Sequence, residues 1–227
     1  MAIAYVQKSS IGQFAGTSST TCTLTGVTVG NTLTLISSHA NFDSSGGGVS
    51  AVDGQGAYTQ DSEIGGTTFT CDILRLSAAN AGTHTVTVSA KFGTAVNSQG
   101  QAILVEWSGI SSLDQQNGNS ANSTGPVSTG ASGVLANASE LVICCGTVGL
   151  LETWGTPSGY TSLYQDLTTS RLATSIAYKL LSGTSAVTSN YGTLGGAANW
   201  VASQALYIPT VTGSSQNGTQ MMMGMGT

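Results

Sequence analysis

Along this chain, apolar side chains alternate with polar ones in short runs rich in Thr, Val, Leu and Ile, and Gly, Asn and Ser punctuate the gaps. No segment sustains a helical period for three turns, so the pattern predicts an all-β fold. The runs predict strands over residues 3–7, 21–29, 32–38, 49–60, 67–77, 83–90 and 101–107. Beyond a polar stretch at 114–125 (DQQNGNSANSTG), they predict strands over 140–146, 159–166, 171–181, 186–191 and 200–208.

The two sets of strands read as one plan used twice. GNTLTLIS (30–37) matches NASELVICC (137–145), with Leu33 and Leu35 on Leu141 and Ile143. GQGAYTQ (54–60) faces TPSGYTSLYQ (156–165), and QAILVEWSGI (101–110) faces VASQALYIP (201–209). CDILRLSAANAGTHTVTVS (71–89) faces SIAYKLLSGTSAVTS (175–189), which puts Arg75 and Lys179 in one slot. The expectation is an antiparallel, jelly-roll-like β-sandwich over residues 1–209, with pseudo-repeated halves at about 1–113 and 126–209 and a linker at 114–125. A single sandwich is favoured over two, because six strands of about six residues make a thin core alone. Residues 210–227 are expected to form an extended Gly/Ser/Met-rich tail, too small to fold by itself.

Composition changes the picture at the surface. Charged residues make up 7% of the chain, against about 25% in an ordinary soluble domain. Ser, Thr, Gly, Asn and Gln must cover the exterior instead, and neighbouring subunits are expected to shield much of it. Only five side chains are basic (Lys8, Arg75, Lys91, Arg171, Lys179), within a net charge of -5. That excludes the phosphate-neutralising footprint of a nucleic-acid binder and a polybasic membrane contact. No apolar run approaches the roughly 18 residues of a membrane span. The opening MAIAYVQKSS lacks the charged leader, apolar run and small-residue cleavage site of an export signal. Release by host lysis fits such a chain.

The candidate chemistry is sparse. Glu106 sits beside Trp107 inside the apolar run GQAILVEWSGI. A glycosidase would need a second carboxylate at roughly 5–9 Å, and nothing in the spacing of Asp72, Asp114 or Asp166 selects one. A framework carboxylate, paired with Arg75 or accepting backbone amides, is the stronger reading. The stretch 38–64 gathers His39, Asp43, Asp53, Asp61 and Glu63 among glycines, without the Asp-x-Asp-x-Asp-Gly spacing of a calcium loop. These read as solvated loop acids, so no metal or cofactor is expected, and His84 reads as an exposed hydrogen-bonding group. No Gly-x-Ser-x-Gly elbow, phosphate loop or His-Glu-x-x-His occurs, so no catalytic residue is assigned. Cys22, Cys71, Cys144 and Cys145 read as small buried hydrophobes, with a Cys22–Cys71 bridge or one between subunits left open. The ligand or partner contacts expected from the sequence are Trp154 and Tyr160, which flank a Gly loop, and Met221, Met222, Met223 and Met225, suited to a groove on a neighbouring subunit.

The order of signals is a β run, Val29-Gly-Asn-Thr-Leu33, a Gly/Tyr/Thr turn at 56–59, the strand Gly82-Thr-His-Thr-Val-Thr-Val88 and then Leu104-Val-Glu-Trp-Ser-Gly109. This order resembles phage and prophage structural proteins, β-sandwich modules of tail-fibre or capsid-decoration type. The resemblance covers residues 4–110 and extends weakly into the second half. It implies a non-enzymatic virion protein in which the Glu-Trp-Ser-Gly element is architectural, with copies of itself and other virion proteins as partners. The alternative is a carbohydrate-binding adhesin or receptor-binding module that meets a host-surface glycan through the loops 43–56 and 154–160.

Overall fold

Most of the expected runs become strands in antiparallel ladders, that at 186–191 only at its end, and the described residues contain no helix. The computed structural model describes residues 1–40, 47–66, 68–91, 99–149, 154–166 and 172–211. Sheet I has the order β1 (Ala4–Lys8), β10 (Gln99–Ser108), β4 (Thr32–Ala40), β8 (Phe69–Leu76) and β7 (Thr59–Gly65), with β2 (Gly12–Ala15) also pairing on β10. Sheet II has the order β11 (Ile110–Ser123), β17 (Ala198–Pro209), β13 (Leu141–Val148), β15 (Ala173–Leu180) and β14 (Thr161–Asp166). Sheet III is β3 (Ser19–Val27), β9 (Gly82–Ala90), β5 (Val49–Asp53) and β6 (Gly56–Ala57), and a ribbon pairs β12 (Val127–Ser128) with β16 (Asn190–Gly192).

These pieces stack in layers. Sheets I and II face each other across the largest core, where Ile36, Ile73, Ile103, Val105 and Trp107 meet Leu141, Ile143, Ile176, Val201 and Tyr207. Sheet III covers the other face of sheet I, packing Cys22, Leu24, Val86 and Val88 against Leu33, Leu35, Leu74 and Leu104. The ribbon and its flanking segments cover the other face of sheet II, with Val127, Trp154 and Tyr191 against Cys144, Ala177 and Ala202. Strands β4 and β13 are therefore buried along their whole length. That is why their sequences read as near-continuous apolar runs rather than alternating ones.

Burial on both faces also explains a correction to the repeat alignment. Equating Arg75 with Lys179 equates Leu33 with Leu141, yet Leu33 faces sheet III and Leu141 faces the core between sheets I and II. Arg75 reaches Asp61, which also accepts from the Tyr207 hydroxyl of sheet II, whereas Lys179 points away over the ring of Tyr160. A strand with two apolar faces gives no alternation to fix its phase, and a one-residue slip exchanges the faces.

The expected linker is a second correction. Residues 114–123 belong to β11, which pairs with β17 along most of its length. Its amides and hydroxyls grip both sides: Ser62 donates to Gln116, while Gln115 and Asn117 donate to the carbonyls of Val134 and Ala131. Gly118 lets the strand close on Ile64 and the carbonyl of Ala202, where a Cβ would collide with both. The expected strand 49–60 is divided among β5, β6 and the start of β7.

The chain passes from sheet I to sheet II through Gly109 (φ +77), whose missing Cβ leaves room for the carbonyl of Ala2. Thr210 N–H donates to the Gly109 carbonyl at 2.7 Å, and the Met1 amino group donates to the Thr210 carbonyl. Residues 1–2, 109 and 210 thus meet at one point.

Candidate functional site

Glu106 is fully buried at the end of β10, and three donors converge on it. Asn31 Nδ2 at 2.6 Å and the Thr28 N–H at 2.9 Å share Oε1, and Gln7 Nε2 binds Oε2 at 2.6 Å. The carboxylate ties β1, the turn 28–31 and β10 together. It has no second carboxylate as a hydrogen-bonding neighbour, and its partners are amides, which is the chemistry of a framework anion. Arg75, named from sequence as its cation, pairs instead with Asp61 at 2.8 Å.

Of the loop acids, Glu63 is exposed, but Asp53 and Asp61 are not solvated. Asp61 is buried between sheets I and II, bound by Arg75 and by Tyr207 Oη at 2.9 Å. Asp53 accepts from His84 Nδ1 at 2.7 Å, from Tyr58 Oη at 3.2 Å and from the N–H groups of Gln55 and Gly56. Burial works to raise the Asp53 pKa, but His84 and the two amides outweigh it and hold the group below the usual carboxylate range. Burial alone would lower His84, which is nearly enclosed rather than exposed; hydrogen bonds to Asp53 and the Asn80 carbonyl raise it. Asp43 lies outside the described residues, as do Arg171 and the tail methionines Met221, Met222, Met223 and Met225.

A third polar group closes the end of the layer between sheets I and III. Asp72 on β8 stands directly opposite Glu63 on β7, and Lys91, just past β9, binds Glu63 and reaches Gln60 Oε1 at 3.1 Å. Burial, and next the Glu63 charge, push Asp72 up to about 8, and its Oδ2 has no partner. Nearby on the same face of sheet I, burial brings His39 down to about 4 and neither ring nitrogen is bonded. Both side chains are therefore neutral at pH 7. Among the described residues, no cluster of three or more His, Cys, Asp or Glu could hold a metal ion.

The aromatic pair expected to meet a ligand is turned inward. Trp154 is 4% exposed and packs on Tyr191 with ring centroids 5.0 Å apart, over the bare backbone of Gly146. Tyr160 is half-buried, its hydroxyl 3.0 Å from Ser189 Oγ. The apolar surroundings of these rings, not the flanking Gly loop, decide their place. The four cysteines are free and buried. Cys22 lies in the layer under sheet III and Cys71 in the core between sheets I and II, on opposite faces of sheet I, so a bridge between them is excluded.

One concave site lies on the seam between sheets I and II, at the β7–β8 turn. It holds about 190 Å³ and is lined by Thr68 and Phe69 of sheet I and by Ser120, Asn122, Asn199 and Val201 of sheet II, among others. Asn122 and Asn199 are direct cross-strand partners on β11 and β17. Ser120 and Val201 on the same strands face sheet I, since Gly66 lies against both, and the two-residue period gives Asn122 and Asn199 the same orientation. Thr68 Oγ1 is buried there without a hydrogen-bond partner. Sequence reasoning missed this site because a third of its lining, Ser120 to Asn122, lies in the stretch read as a linker.

The chain matches no protein-family model, no curated protein and no solved structure. Its function is therefore argued from its own chemistry.

Proposed function

We propose that the protein is a non-enzymatic structural component of a phage-type virion, a capsid decoration or a part of the tail, neck or fibre, that works by assembling with copies of itself and with other virion proteins. The observation that carries this reading is where the charges lie. Every described Asp, Glu, Lys and Arg side chain has a partner within the chain. Besides the groups above, Lys8 donates to the Leu163 carbonyl, Asp114 accepts from Ala136 N–H, Glu140 from Asn137 N–H and Asp166 from Gln101. Lys8, Glu63 and Lys91 keep exposed charge, and the rest of the described outer surface is mainly hydroxyls, amides and methyl groups, which repel an identical neighbour weakly.

The sheet edges favour the same reading. Strand β14, at the end of sheet II, reads Thr-Ser-Leu-Tyr-Gln-Asp and carries neither Lys nor Pro to discourage pairing with another strand. The finer architecture is a jelly-roll-like sandwich built from two pseudo-repeated halves. Its support is strand order: β10-β4-β8-β7 in sheet I and β17-β13-β15-β14 in sheet II use strands of the same rank in the same sequence.

Sedimentation velocity across a concentration series, followed by electron microscopy, tests the proposal. Concentration-dependent association into a symmetric ring, shell patch or fibre is expected, and Ser162→Lys on the free edge of β14 should weaken it without lowering the melting temperature. A lone particle at every concentration, indifferent to other virion components, would overturn it.

A further inference from the structure

We infer that the seam pocket beside Asn122 and Asn199 is a binding site for one neutral sugar ring. This goes beyond assembly, and it stands on different residues.

The lining settles the ligand's charge. None of the residues around the pocket is ionisable, so an anionic or cationic ligand would enter a concave, partly dry site with no counter-charge, at a desolvation cost nothing there offsets. The lining also settles its polarity. Asn122 and Asn199 stand side by side across the ladder and both line the pocket, Asn122 exposed and Asn199 half-buried. Each offers two N–H donors and an acceptor oxygen. Next to them, the Thr68 hydroxyl is buried without a partner, a condition that folded proteins rarely tolerate unless a water or a ligand completes it.

Paired carboxamides match vicinal hydroxyls, which donate and accept at neighbouring positions. Phe69 and Val201 add an apolar wall on which the C–H face of a pyranose can lie. Size sets the upper limit. At about 190 Å³ the site is smaller than the pockets of roughly 300–1,000 Å³ that hold drug-sized molecules. It admits a single ring, as a free monosaccharide or as the end of a glycan, and not a chain lying along a groove.

Saturation-transfer NMR on the full chain tests this with the methyl glycosides of glucose, galactose, mannose and N-acetylglucosamine, and with methyl glucuronoside and sialic acid as charged controls. At least one neutral glycoside should bind at millimolar concentration, and neither charged sugar should match it. Asn199→Ala and Asn122→Ala should each weaken that binding by about tenfold, with unchanged melting temperatures. Trp154→Phe, at the remote buried ring, should leave it unchanged. Silence from all four neutral glycosides would overturn the assignment, as would preference for a charged sugar or binding indifferent to both Asn substitutions. Loss of self-association in the sedimentation experiment would leave this result untouched, so the two proposals fail separately.

Discussion

The two central sheets share a strand order but are covered by different means. Sheet III lies over sheet I as a ladder of β-strands whose inward side chains are Cys22, Leu24, Val86 and Val88. The cover of sheet II is an irregular ribbon: Thr129 N–H donates to the Ser189 carbonyl and Ser189 N–H to Thr129 Oγ1, Ser132 and Val187 exchange bonds in the same way, and Leu135 N–H donates to the Thr184 carbonyl. Toward that ladder sheet I presents a mostly apolar face with Glu106, Asp72 and His39 buried within it. Toward the ribbon sheet II supplies an anchor: the buried Gln204 accepts from Ser189 Oγ at 2.8 Å and donates to the Val187 carbonyl at 3.0 Å. Ion pairing divides the same way: among the described residues Asp53–His84, Asp61–Arg75 and Glu63–Lys91 all lie before residue 110, whereas the second half buries Glu140.

The contrast can be broken at its common element first. Trp107 is fully buried between sheets I and II and donates to Thr34 Oγ1 at 2.8 Å. Trp107→Ala should cost about 4 kcal/mol and weaken both halves together, in a single denaturant transition. Two separated transitions would show that the halves fold independently. Glu106→Ala strands the donors of Gln7, Asn31 and Thr28 and should cost about 3 kcal/mol, with hydrogen-exchange protection lost around residues 4–8 and 26–31 rather than in sheet II. Gln204→Ala should cost about 2 kcal/mol and loosen the ribbon, read as faster exchange of the Thr129 and Ser189 amides with sheet I unaffected.

The smallest effect separates the halves by pH. The folded-state pKa of Asp72, about 8, is above its value in the unfolded chain, so the folded form holds an extra proton. Its contribution to stability is fully present below about pH 4 and is lost as pH rises through about 8. Asp72→Asn should flatten that fall and leave the variant more stable than the parent at pH 8. Chemical denaturation at pH 5 and pH 8 measures it. A variant with the parent's slope would place the proton elsewhere.

What the sequence made legible follows from how each side chain is satisfied. Runs such as TLTLIS and LVICC announce strands because both of their faces meet apolar layers. That Glu106 accepts amide hydrogen bonds was legible too, from its place inside such a run. Strand β11 was not, because its stability comes from the open edge of β17 and from amide contacts, and neither leaves hydrophobic periodicity in DQQNGNSANS. Asp53, Asp61 and His84 were misread for a related reason. Their partners lie 14 to 146 residues away or depend on a turn that brings Asp53 under His84, and loop composition carries no trace of either. The seam pocket needs two sheets in contact before it exists at all.

The meeting of residues 1–2, 109 and 210 has a practical consequence. Because the start of sheet I, the crossing into sheet II and the exit from it share one pole, a short peptide could join residue 210 to residue 1 and new ends could be opened beside Gly109. The two halves would then be synthesised in reverse order yet dock as before. A label or tether attached at residue 1 or directly after residue 210 would start from that single pole.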